Sequence, residues 1–106
     1  MQARFLHDGK AIDFLSNVDI PAGTVIVRDA LVGITKLDVE ANRLGALHVV
    51  GVFDVAKAAV AIPLGSKVYW DDTAKNACLT ATNNTLLGVA VSDAVAGDAV
   101  VKVRIG

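Results

Sequence analysis

Few side chains in this 106-residue chain are of a type that does chemistry, and their spacing decides what each can do. His7-Asp8 would set an imidazole against a carboxylate. Adjacent residues of an extended segment point to opposite faces, however, and no nucleophile is placed beside them, so a solvated turn is the better reading. His48 lies in an apolar stretch and reads as a hydrogen-bonded core or interface side chain rather than a base or ligand. Cys78 is the single cysteine. With no cysteine partner and no activating neighbour in sequence, it reads as a small buried hydrophobe. Asp71 and Asp72 beside Asn76 would suit a hard cation, but the Gly-and-Glu spacing of a calcium loop is missing, which leaves an acidic turn. Gly9-Lys10 is followed by Ala11, and Arg4 stands where a phosphate-cradling loop needs its first glycine, so no nucleotide site is encoded there. Asn83-Asn84-Thr85 matches a glycosylation acceptor, which matters only in a eukaryotic secretory route. The sequence predicts no catalytic set, no metal site and no cofactor, and the chain is not expected to be an enzyme.

The elements that carry these residues are bounded by composition. Ten Lys and Arg against eleven Asp and Glu give a formal charge of -1. That balance argues against nucleic acid and anionic membrane as partners, because both need a basic surface. One cysteine excludes an internal disulfide, no apolar run reaches the length of a spanning helix, and residues 1–8 lack the uninterrupted apolar core of a signal peptide. A single domain in a reduced, soluble compartment is the expectation. The chain is 54% hydrophobic, with a mean hydropathy of +0.54, and the excess is mainly Ala and Val. A domain this small cannot hide all of it, so contacts between subunits are predicted; a β core buried on both faces is the alternative.

Turn signals divide the chain into short extended pieces. Residues 62–72 read as turn, strand, turn, with Val68 and Trp70 on one face and Lys67, Tyr69 and Asp71 on the other. The opening of that stretch, Ile62-Pro63-Leu64-Gly65-Ser66, repeats Ile20-Pro21-Ala22-Gly23-Thr24, so one turn chemistry starts two strands. Before the first copy, Asp8-Gly9 is a turn and Ile12 and Phe14 share a face of a strand over residues 11–15. After it, residues 24–28 and 31–35 form a hairpin. Residues 36–45 are polar and predict a loop or one helical turn. Residues 46–53 read as one strand, too apolar on both faces for an exposed one, and Ala-rich residues 54–61 as a short helix. Strands follow at residues 77–80, 86–91 and 99–105, the last with Val101, Val103 and Ile105 on a dry face and Lys102 and Arg104 on a wet one. Gly33, Gly51 and Gly88 each interrupt an apolar strand, which calls for a bend or a close backbone approach. The predicted fold is all-β, a small β-barrel or sandwich with short strands and at most one short helix.

Several of these segments also carry a family likeness. They are Leu31-Val32-Gly33, Gly51-Val52-Phe53-Asp54-Val55-Ala56-Lys57, Val68-Tyr69-Trp70-Asp71, Leu87-Gly88-Val89-Ala90 and the ending from Gly97-Asp98 to Val103-Arg104-Ile105. In that order, over nearly the whole chain, the sequence resembles the small head-decoration, or capsid cement, proteins of tailed phages and prophages. One departure is Ala56, where many relatives have Pro before the Lys. Some members of that family carry a recombinase label, which the missing phosphate-cradling loop excludes here. The resemblance implies a structural all-β domain that assembles as a homotrimer on the outer surface of a virion head, with the major capsid protein as partner and the host cytoplasm as the place of assembly. The interface residues expected are Phe5, Leu6, Ile12, Phe14, Tyr69 and Trp70. Residues 1–19 are a possible N-terminal arm that adds a strand to a capsid edge, or else pair within the domain. The competing class of function is a small-ligand or glycan-binding β module, in which Tyr69 and Trp70 form a stacking platform.

Overall fold

A computed structural model describes residues 2–106; Met1, the first residue of the expected arm, lies outside the described residues. Runs of β-branched and apolar residues between the turn signals form nine strands, β1 (Ala11–Leu15), β2 (Val25–Arg28), β3 (Leu31–Ile34), β4 (Leu44–His48), β5 (Gly51–Ala56), β6 (Lys67–Asp71), β7 (Asn76–Cys78), β8 (Thr85–Ala90) and β9 (Val100–Ile105). They build two antiparallel sheets, one in the order β1-β4-β3-β2 and the other in the order β5-β9-β8-β6-β7. The sheets form a sandwich rather than a closed barrel, and no helix forms among the described residues.

Alternation within the strands places the core. Val32 and Ile34 of β3, with half-buried Val25 and Val27 of β2, meet Val55, Val68, Trp70, Leu87, Val101 and Val103 of the second sheet. The opposite face of the same hairpin is covered as well. Phe14, Val39 and Leu47 are buried there against Ile12, Ile20 and Ile26, and the Arg28 guanidinium lies 5.0 Å from the centre of the Phe14 ring, a cation over a π face. The predicted dry and wet faces of β9 are both present, with Val101, Val103 and Ile105 buried and Lys102 and Arg104 exposed.

Three expectations are corrected. The stretch over residues 46–53 is two strands: β4 ends at His48 in the first sheet, and β5 begins at Gly51 in the second. Gly51 adopts φ 140° at this crossing between layers. A continuous apolar run has no periodicity that would mark the break. The helix over residues 54–61 does not form, because Asp54 and Ala56 pair with Lys102 and Val100 of β9 and Lys57 bridges Ala77. The helical preference of a few alanines, under about 1 kcal/mol each, yields to a sheet ladder that also buries Val55. The polar middle is a loop as predicted, except that Leu44 and Gly45 already belong to β4.

The repeated Ile-Pro turn marks a duplicated structure. Ile20 bridges Val39, and Ile62 bridges Ala94. The Ala22 N–H then donates to the Asp38 carboxylate and the Leu64 N–H to the Asp93 carboxylate, both at 2.7 Å. Gly23 and Gly65 follow at φ 80° and 86°. On the return, the Thr35 N–H donates to the Thr24 carbonyl and the Ala90 N–H to the Ser66 carbonyl, both at 3.0 Å. By these landmarks β1, β2, β3 and β4 correspond to β5, β6, β8 and β9. The order β1-β4-β3-β2 reappears as β5-β9-β8-β6, and β7 is an addition along the outer edge of β6. Gly33 and Gly88 occupy matching places on β3 and β8.

Candidate functional site

The residues that could do chemistry are spent on local structure and do not converge. His7 Nδ1 accepts the Gly9 N–H at 2.9 Å, closing the turn predicted there. Asp71 accepts the N–H groups of Thr73 and Ala74, each at 3.0 Å, at the β6–β7 turn. Asp72 accepts Lys75 Nζ at 2.8 Å and the Trp70 indole N–H at 3.1 Å. Those bonds, the Lys75 one foremost, hold its carboxyl below the ordinary carboxylate range. The Cys78 sulfur receives Asn84 Nδ2 at 3.4 Å and faces the Thr80 carbonyl at 3.7 Å. His48 is half-buried at the end of β4, opposite both Ala11 and Ile34. Among the described residues no group of three or more His, Cys, Asp or Glu side chains could hold a metal ion.

What the fold presents instead is apolar surface. Phe5 and Leu6 are 79% and 74% exposed on the unpaired segment that leads into β1. Residues 11–15 of the expected arm are β1 and pair with β4. Of the other expected interface residues, Ile12 and Tyr69 are half-buried, whereas Phe14 and Trp70 are 4% and 5% exposed. The last two pack in the core of the single chain. Tyr69 and Trp70 consequently share no stacking platform: neighbours on a strand face opposite ways, and only Tyr69 looks outward.

Sequence reasoning missed other members of this surface. Leu15 and Leu44 sit opposite each other across β1 and β4, both exposed, and Leu37 is exposed on the loop between β3 and β4. On the second sheet Leu86 and Cys78 flank Tyr69 from either side. Alternation was the available signal, because burying Phe14 turns its neighbour Leu15 outward. The chain exposes 6865 Å². A folded monomer of 11.0 kDa ordinarily exposes about 5,600 Å², so the chain carries surplus surface, much of it aliphatic.

One buried cation organises the end of the sandwich. Lys57, 9% exposed, follows β5. Its ammonium donates to the backbone carbonyls of Val95 at 2.9 Å, Asp98 at 3.1 Å and Ala96 at 3.4 Å. Three donors thus meet three acceptors, which is full satisfaction for an ammonium. The loop closes on itself too, with the Val95 N–H donating to Asp98 Oδ2 at 2.9 Å. Lys57 therefore ties β5 to the loop that precedes β9.

The sequence model of the phage cement protein family matches residues 6–105. Comparisons with curated proteins and with solved structures give no significant match. The matched span takes in all nine strands, both Ile-Pro turns and the Lys57 latch. With all but the extreme ends of the sequence aligned, the chain belongs to the phage cement protein family.

Proposed function

We propose that this protein is a structural component that binds the outside of an assembled phage or prophage head as a homotrimer and holds neighbouring capsomers together without performing a reaction. The family match over residues 6–105 carries this reading. Exposed aliphatic surface supports the assembled state, because a side chain such as Leu15 or Leu44 gains only when another surface covers it. A pressurised shell parts at its subunit boundaries. A protein that binds the closed lattice better than separated subunits therefore stabilises the lattice by mass action. A trimer presents three equivalent contacts to a threefold junction, so contacts that are weak singly give high avidity together. Phe5, Leu6 and Tyr69, with Leu15, Leu44 and Leu86, are the side chains offered for contacts between copies and with the lattice. Assembly takes place in the host cytoplasm, and the finished protein resides on the virion head.

DNA-filled heads that lack the protein are expected to release their DNA at a lower temperature than decorated heads, with purified protein restoring the higher value. Dye access to the DNA during a thermal ramp measures this. Identical release curves, with the protein shown to be bound, would remove the cement role.

A further inference from the structure

We propose that the free edge of β2 (Val25–Arg28) is a strand-acceptor site for the N-terminal segment, residues 2–9, of a neighbouring copy of this chain. The inference deepens the trimer reading above and rests on it. Its first support is the internal duplication. In the second half of the chain, the strand corresponding to β2 is β6, and its outer edge is covered by β7 in antiparallel pairing, Tyr69 with Cys78, Trp70 with Ala77 and Asp71 with Asn76. In the first half β2 ends its sheet, with no such strand among the described residues. One design is thus present twice, once with the covering strand and once without. The same comparison does not point to β1, the other edge of that sheet, since its counterpart β5 is likewise the end strand of its own sheet.

The second support is the ground beside that edge. Where β2 begins, an open groove of about 380 Å³ is lined by Gly23 and Thr24 of the preceding turn and Val25 of the strand, with Ile34, Phe53 and Trp70 among its apolar walls and Asp54 and Lys75 beside them. Strand addition draws affinity from main-chain hydrogen bonds and specificity from pockets that take alternate side chains. An apolar pocket at a bare strand edge supplies both.

The donor is argued from the same chain. Residues 2–9 form no strand, and they carry Phe5 and Leu6 almost fully exposed. Fully extended, eight residues reach about 26 Å, enough to cross much of a neighbour whose extents are 43 × 36 × 23 Å. Each copy then holds one donor and one acceptor. Such a head-to-tail contact closes into a ring when the rotation permits, and three copies make the trimer.

The test places the photocrosslinker p-benzoylphenylalanine at position 5, a side chain close to the native Phe, and mixes copies of light and heavy isotopic composition before irradiation. Mass spectrometry is expected to find position 5 joined to residues 24–28 of a differently labelled copy. Deleting residues 2–9 is expected to turn a particle of three chain masses into one of a single chain mass in light scattering, with the β circular dichroism spectrum unchanged. Crosslinks confined to one copy, crosslinks on heads that reach only capsid protein, or a trimer that survives the deletion would each overturn the inference. Head binding is scored in the same samples. Heads bound without crosslinks between copies overturn the acceptor site and leave the cement reading standing, whereas crosslinks between copies without head binding do the reverse.

Discussion

Replacing Gly88 by alanine is expected to lower the urea midpoint of the fold sharply. A Cβ at this position would overlap the carbonyl oxygen of Arg104 and lie 2.9 Å from its carbon. That obstacle is the backbone of β9, which has no rotamer to escape into. To admit one methyl group, β8 and β9 would have to part where Val89 faces Arg104 and Ala90 faces Val103. Overpacking typically costs about 1–3 kcal/mol and occasionally more, and backbone that cannot re-orient puts this position at the upper end, a large share of the roughly 5–15 kcal/mol that holds a domain folded. Gly33 is the internal control, being the matching position on β3. A Cβ there meets the side chain of Leu47, Cγ foremost and Cδ2 at 2.8 Å; Leu47 is buried, but a side chain has other rotamers where a strand backbone has none. In urea titrations Gly33→Ala should keep the higher midpoint and Gly88→Ala should show the lower one. The reverse order would mean that the two strands are not matched as described.

Lys57→Met is expected to cost about 2–4 kcal/mol, because it keeps the length and apolar stem of the side chain but removes the donor from three carbonyls. Val95, Ala96 and Asp98 would then have to find water at a site that the lysine fills. The loss should be visible as a lower urea midpoint. It should also appear as faster amide exchange at Ala94, whose N–H donates to Ile62 beside that loop. A midpoint within about 0.5 kcal/mol of the unaltered protein, the range of ordinary surface substitutions, would show that Lys57 is not the tie between β5 and the loop.

The residues that fixed these two predictions differ in how far they could be read beforehand. Gly88 was legible, since a glycine inside Leu86-Leu87-Gly88-Val89 has no reason to be there unless something approaches it closely. The clean alternation of β9 was legible for the same reason, one residue type per face. Lys57 was not, because nothing in Val55-Ala56-Lys57 says that three carbonyls from residues some forty positions later will converge on it. The break between His48 and Gly51 was hidden by continuous apolarity, and the alanines after Asp54 pointed to a helix that long-range pairing overrode. For the surface, composition pointed to a surplus of apolar residues, while nothing local shows that the Phe14 and Trp70 rings pack inside the single chain. The duplication was half visible. Two Ile-Pro turns announced it, while the matching Asp38 and Asp93 lie too far from them in sequence to be recognised before the fold brings them together.

The central claim is that the protein recognises an assembled lattice, and the most direct measurement offers it both forms of the capsid protein at once. Purified protein is mixed with undecorated heads and with an equal mass of unassembled capsid subunits, the heads are separated by sedimentation, and the protein in each fraction is quantified. The account predicts that the protein sediments with the heads, saturates at a fixed number of copies per head, and leaves the subunits bare. Equal binding to heads and subunits, or binding to neither, would contradict it.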